Sequence, residues 1–274
     1  MGMTDLSCGT HLGLRGMVAM VTAGSKGLGR ASALALAKHG AKVCISARSA
    51  DDVASAVAHI ASDSGQPDNV FGLRADATRQ GDLDLMFGSI LDRWNHVDIL
   101  VSNCGGPKPG TYLQLTPEDW EEASNQTLMS FVRACYTVTP HMIERGTGSI
   151  VTIQSLTVKQ GIDNLVLSNS IRLANVGLVR SMATELGPLG IRVNSINPGL
   201  HMTDRLMANF EHRAQQRGVD IDTIVQEATA DTPLRRVNTP ENFGDNVAWL
   251  ASPAAAYVTG QAIMVDGGVT KSPL

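Results

Sequence analysis

Seven short apolar runs recur along this chain at 17–21, 42–47, 70–75, 99–102, 149–153, 192–197 and 261–265, and that rhythm limits the folds open to it. Between most neighbours lies a segment whose apolar residues return at helical spacing: 30–39, 51–62, 83–94, 117–144 and 165–186. Strands that alternate with helices form parallel sheets covered on both faces. The spacing therefore predicts one α/β domain over 1–274, doubly wound around a seven-stranded parallel sheet. A chain of 274 residues with 43% hydrophobic content is long enough for such a core.

Sheets of this kind bind ligands beyond the carboxyl ends of their strands. The first run leads at once into TAGSKGLG and then a helix rich in alanine and leucine. Glycines in such a turn let the backbone approach a pyrophosphate, and the free N–H groups of the helix start face its charge. The expectation is a Rossmann-type nucleotide site. A second glycine-rich turn, NCGGPKPG, follows the fourth run at the same edge. Thr116-Pro117-Glu118-Asp119 is a helix start, with a capping hydroxyl, proline at the first position and acids over the first turn. Thr239-Pro240-Glu241 caps a final helix. From His201 to Asp231 the chain turns polar with weak helical periodicity, and we read 201–231 as a mobile substrate lid. The long apolar segments 117–144 and 165–186 call for partners in another subunit, so a homo-oligomer, dimer or tetramer, is expected.

Other classes are disfavoured. The formal net charge is −4 and the cations are scattered, which offers nucleic acid no basic stripe. No apolar run is long enough to span a membrane, and the N-terminal residues lack a signal pattern, so a cytoplasmic location is expected. Cys8, Cys44, Cys104 and Cys135 lie far apart and read as free thiols. The seven histidines occur singly, so no metal site is expected.

Six stretches agree in order with one family: TAGSKGLG, Asp76 after the third strand, SNCGG, Ser155, NPGLHMT and YVTGQAIMVDGG. Over 14–268 the chain resembles the short-chain dehydrogenase/reductases, including the 3-oxoacyl-acyl-carrier-protein reductases. The resemblance implies that Thr22, Ser25, Lys26, Gly27, Leu28 and Gly29 cradle the phosphates of a nicotinamide dinucleotide. It also implies that Asp76 and Ala77 meet the adenine, that Asn103, Cys104 and Gly105 flank ribose and adenine, and that Pro198, Gly199 and Thr203 contact the nicotinamide end. Ala23 replaces a glycine that the family usually carries, at little cost in room. The second strand ends in Ser46-Ala47-Arg48 with no acid to repel a 2′-phosphate, and Arg48 and Lys26 are placed to pair with one. NADP(H) is therefore the expected cofactor, with NAD(H) as the alternative.

The catalytic positions depart from the family. Ser155 stands where the serine that polarises the carbonyl belongs. The tyrosine place, thirteen residues on, holds Ser168; the lysine place, four further, holds Arg172; the asparagine place, seven after Trp120, holds Thr127. A serine hydroxyl stops a ring's length short of a tyrosine hydroxyl and ionises far less readily. Arg172 can hydrogen-bond the nicotinamide ribose but cannot release a proton. The proton then comes from Lys159 if burial lowers its pKa, from His201 at the mouth of the lid, or from water held by Ser155. The expected activity is reduction of a carbonyl or oxidation of a secondary alcohol, on a small molecule such as a 3-oxoacyl compound. The alternative is a non-catalytic, cofactor-binding subunit that pairs with an active relative. Non-redox chemistry of the halohydrin dehalogenase kind ranks last, because those proteins keep the tyrosine and lose the nucleotide glycines.

Overall fold

The computed structural model describes residues 12–271. Its seven strands are β1 (Val18–Val21), β2 (Lys42–Ala47), β3 (Val70–Arg74), β4 (Ile99–Ser102), β5 (Gly148–Ile153), β6 (Ile191–Pro198) and β7 (Ala262–Val265). All pair in parallel, as the spacing predicts, and the sheet order is 3-2-1-4-5-6-7. Successive side chains on a strand point to opposite faces. Ala19, Val21, Val43, Ile45, Val101 and Val151 accordingly join one core, with helices α1 (Gly27–Lys38), α2 (Ala50–Ser64) and α9 (Pro240–Ala251). Val18, Met20, Cys44, Leu100, Ile150 and Val193 join the other, with α3 (Gln80–Trp94), α5 (Ser130–Arg145) and α6 (Val166–Leu186). Burial on both faces is why the strands read as unbroken apolar runs. Helices α1 and α9 pack closely because Gly244 has no side chain: a Cβ there would stand 2.3 Å from the Ala31 carbonyl oxygen.

The expected helix over 117–144 is divided. Helix α4 (Pro117–Ser124) passes through a π turn at Asn125–Met129 before α5 begins. Such a wide turn shifts the residues that follow it round the helix, and it recurs near functional sites. The segment read as a polar lid is also more ordered than its composition suggests. It folds into α7 (Asp204–Arg217) and α8 (Ile221–Thr229), which share a small core of Phe210, Ala214 and Ile224 with Leu206 and Val225 against it. Arg217 and Glu227 pair across the two helices at 2.5 and 2.8 Å. The apolar positions recur one turn apart, but the charged and amide residues between them mask that period in the sequence.

Cys44 and Cys135 are buried free thiols and Cys104 is half-buried; Cys8 lies outside the described residues. Among the described residues no cluster of His, Cys, Asp and Glu is suited to a metal ion, and no helix is long and apolar enough to cross a membrane.

Two polar side chains fix the sheet's ends. Buried Asp98 accepts from the Val18 N–H at 2.8 Å, which ties β4 to β1, and its other oxygen meets Arg145 at 3.1 Å at the end of α5. Arg192 on β6 donates to the carbonyls of Leu250, Ala251 and Ser252 at 2.9–3.1 Å and to Val258 at 3.2 Å. It thereby satisfies the orphan carbonyls at the end of α9, where a cation also suits the helix dipole. Burial pushes its pKa down without removing its charge. Arg192→Leu leaves those carbonyls without a donor and is expected to lower the free energy of unfolding by about 2–4 kcal/mol, read by urea denaturation.

Candidate active site

The sheet order reverses between β1 and β4, so the loops after these two strands diverge to opposite faces and leave a crevice. One clamp holds its walls. The Thr22 hydroxyl accepts from the Asn103 N–H and donates to the Asn103 carbonyl, both at 2.9 Å, and Asn103 Nδ2 donates to the Ala23 carbonyl at 3.1 Å. The Gly24 N–H meets the Ser46 carbonyl at 2.8 Å, which joins the end of β2 to the same loop.

The loop after β1 has the form of a phosphate cradle. Lys26 stands at the N-cap of α1 with no side chain closing the helix end, so the first N–H groups remain available to an anion. Gly29 cannot carry a side chain, since a Cβ would lie 2.2 Å from the Ala23 carbonyl oxygen and 2.6 Å from Asn103 Nδ2. Gly27 adopts φ +52, with Thr203 directly over it: a Cβ on Gly27 would stand 3.4 Å from Thr203 Cγ2. The residues present thus fit a dinucleotide pyrophosphate. Thr203 Oγ1 caps α7 by accepting from the Leu206 N–H. Pro198 ends β6, and the Gly199 N–H bonds the Val265 carbonyl at 3.0 Å, which brings that loop beside Thr203. Thr22 and Ser25 are buried, Leu28, Cys104 and Ala77 half-buried, and Gly105 exposed at the rim.

The cost of Ala23 is conformational. Its φ of +46 lies in the left-handed region, which an alanine enters at about 1–2 kcal/mol.

At the outer edge Arg48 is exposed just past β2, and Arg74 Nε donates to its carbonyl at 3.1 Å, so a third cation that we had not anticipated stands there. Lys26 pairs with Asp52 at 2.8 Å. Burial works against the charge of Asp76. Hydrogen bonds from the Thr78 N–H and hydroxyl, with the charges of Arg48 and Arg79, more than offset this and hold its carboxyl below the usual range.

Ser155 lies where β5 ends and lines a cavity of about 310 Å³ with Leu28, Gly199 and Thr203. Its Oγ accepts from the Thr157 N–H at 3.3 Å, so the hydroxyl proton is free to donate into the cavity. The other catalytic candidates are arranged differently from expectation. Arg172 is buried and engaged with the backbone: its Nη1 donates to the Gln154 carbonyl at 3.0 Å and to the Ile153 carbonyl at 3.4 Å. The place of the family's lysine is filled by a side chain that braces the end of β5. Ser168 is buried and shares a hydrogen bond with the Thr157 hydroxyl at 3.1 Å. Lys159 is exposed, so the burial on which its role as an acid rested is missing. His201 is not a solvated residue at the mouth. It is buried edge-on against Phe243, and burial pushes its pKa down despite a hydrogen bond with the Gly199 carbonyl. The ring contact packs the start of the 201–231 segment against α9.

Two residues that the sequence did not single out join this cluster. Gln154 Oε1 accepts from Asn175 Nδ2 at 3.1 Å, and the same amide donates to the Thr127 carbonyl at 3.2 Å. Thr127 Oγ1 and Asn175 Oδ1 are buried without a partner. The only sequence signal for Asn175 is an amide on the buried face of a long helix, which by itself names no role.

The comparisons agree with this architecture. Residues 22–270 match the family model described as enoyl-(acyl carrier protein) reductase. The 7alpha-hydroxysteroid dehydrogenase of Escherichia coli K12 is 34% identical over 260 residues, covering 94% of this chain and 96% of that protein. The L-sorbose reductase of Gluconobacter frateurii, solved with NADPH and L-sorbose, superposes with TM-score 0.91 at 28% identity, over 96% of this chain and 100% of its own. An NADPH-bound short-chain oxidoreductase of Pseudomonas aeruginosa PAO1, described as containing an atypical catalytic center, gives TM-score 0.85 at 29% identity over 93% and 97%. The chain belongs to the short-chain dehydrogenase/reductase family of oxidoreductases.

Relief of the strained φ at residue 23 is the direct test of the cradle's backbone. Ala23→Gly removes the left-handed penalty but adds unfolded-state entropy, and a net gain of about 0.5–1 kcal/mol in unfolding free energy is expected by thermal or urea denaturation.

Proposed function

We propose that this protein is an NADP(H)-dependent oxidoreductase that reduces a carbonyl or oxidises a secondary alcohol on a small molecule, with Ser155 orienting the reacting oxygen. The observation that carries this reading is shared geometry: Ser155 faces a cavity whose wall also includes Leu28, Gly199 and Thr203 of the dinucleotide cradle. Thr22, Ser25, Gly27 and Gly29 hold the phosphates, Asp76 and Ala77 the adenine, and Asn103, Cys104 and Gly105 the adjoining ribose. Pro198, Gly199 and Thr203 bound the nicotinamide end. The dinucleotide, when bound, supplies or accepts the hydride.

The chain's own part is to position oxygen and proton. Ser155 Oγ takes its backbone hydrogen bond from Thr157 and directs its own proton at the substrate oxygen, where negative charge develops on reduction. Arg172 acts as a positioning residue, because the carbonyls it holds belong to Ile153 and Gln154, immediately before Ser155. With Ser168 and Arg172 occupied internally, Lys159 exposed and His201 neutral, the proton comes from water that Ser155 orients.

Exposed apolar side chains support a homo-oligomer. Met129, Tyr136 and Ile143 recur seven apart on the outer face of α5 and the turn before it, and Tyr136 is 76% exposed; Leu173 is exposed on α6. Such a stripe suits a helix-to-helix subunit contact. The same face suits a hetero-oligomer under the second reading, a cofactor-binding subunit without turnover, which the internal pairing of Ser168 and Arg172 favours.

Calorimetric titration separates the cofactors. NADPH is expected to bind at least tenfold more tightly than NADH, and Arg48→Ala to erase most of that preference; equal affinity in the unaltered protein counts against the phosphate clamp. Turnover separates the readings. Ser155→Ala is expected to lower kcat by about 10²-fold or more with NADPH affinity retained, whereas Ser168→Ala changes kcat little and lowers stability by about 1 kcal/mol. Equal loss of kcat in the two variants contradicts the assignment to Ser155.

A further inference from the structure

The cavity beside Ser155 is lined on its α7 side by Arg205, an exposed residue and the second of that helix. Its guanidinium reaches across to the loop after β4, where a Cβ on Gly106 would stand 3.0 Å from Nη1. The Arg205 side chain thus approaches the backbone of the loop after β4. The other residues that line this cavity are Leu28, Ser155, Gly199, Leu200, His201, Thr203, Leu206 and Asn209, and none of them is a carboxylate. His201 is held neutral by burial, so Arg205 is the cavity's one full charge. None of the ion pairs among the described residues involves it, and Asp204 beside it points its chain position to a different cavity.

Helix stability does not account for a cation at this place. The start of a helix carries partial positive charge and favours acids, as α2 and α4 show with Asp51, Asp52, Glu118 and Asp119. In the first turn of α7 Arg205 follows Asp204, and it is Arg205 that lines the cavity beside Ser155. An unpaired arginine with a planar fork of donors is the group that recognises a carboxylate in two-point fashion.

We propose that Arg205 is a specificity-determining residue that binds a carboxylate on the substrate, so that the preferred substrates are oxo acids or hydroxy acids and not neutral ketones. The inference rests on the oxidoreductase reading and deepens it. The carbonyl lies at Ser155 and the carboxylate at Arg205, on the α7 side of the cavity that the substrate shares with the nicotinamide end.

The test uses a panel of short- to medium-chain 2-oxo and 3-oxo acids, each beside its methyl ester. Binding to the NADP⁺-loaded protein is followed by calorimetry, and reduction is followed with NADPH. The unaltered protein is expected to favour at least one acid over its ester. In Arg205→Ala the acid-to-ester ratio, in affinity and in kcat/KM, falls by about 10- to 100-fold, with Arg205→Lys between the two. No preference for any acid over its ester overturns the proposal. So does a ratio unchanged in Arg205→Ala, or a loss in that variant of NADPH affinity alone, which assigns the guanidinium to the cofactor's phosphates. Acid binding that depends on Arg205 without turnover keeps the proposal and rejects the oxidoreductase reading. Turnover without acid preference does the reverse.

Discussion

The reversal of strand order between β1 and β4 is the constraint on which the site depends. Parallel strands joined through helices cannot cover both sheet faces unless the chain returns to the middle and proceeds the other way. That return opens a crevice at the carboxyl edge, and buried hydrogen-bonding groups lining it must find partners. Here Thr22 and Asn103 satisfy one another across the gap, and Asn103 also satisfies Ala23. The clamp shapes the cradle: Gly29 has no room for a side chain because the Ala23 carbonyl and the Asn103 amide already fill it. Asp98 makes the corresponding tie at the opposite end of the same two strands.

Behind Ser155 lies a packed polar cluster. Arg172, Gln154 and Asn175 bond one another or the backbone around the end of β5, and Ser168 closes on Thr157. A guanidinium buried among carbonyls is a strong brace, because each donor it offers removes a desolvation cost from an acceptor. The result is a serine set on a rigid base and a cavity in front of it with a single charge. The π turn brings the Thr127 carbonyl to Asn175, so the family's asparagine position contributes backbone where a side chain is usual.

Much of the fold was legible because its signals are local. Two-sided burial makes every central strand an apolar run, and the turn after β1 requires glycine wherever backbone approaches backbone. The seven parallel strands and the glycine-rich turn after β1 followed from those runs and their spacing, whereas the strand order and the role of Ser155 did not. The division of the helix over 117–144 was not legible, since Asn125–Met129 has no breaker and the Thr127 carbonyl within the wide turn finds its donor in Asn175 of α6, far away in sequence. The helical character of 204–229 was hidden by its surface, because only one narrow stripe, Phe210, Ala214 and Ile224, is buried.

The sequence by itself determined the α/β class and the parallel seven-stranded sheet, because these are properties of residue type and spacing along the chain; what stands at the catalytic positions was implied by the family resemblance. Only the tertiary structure decided what the replacements do. Whether Arg172 faces a ligand or a carbonyl, whether His201 is wet or buried, and whether Arg205 meets a carboxylate or an open cavity all depend on neighbours far away in sequence. Charge and hydrogen bonding act over a few ångströms of space, and folding sets those distances.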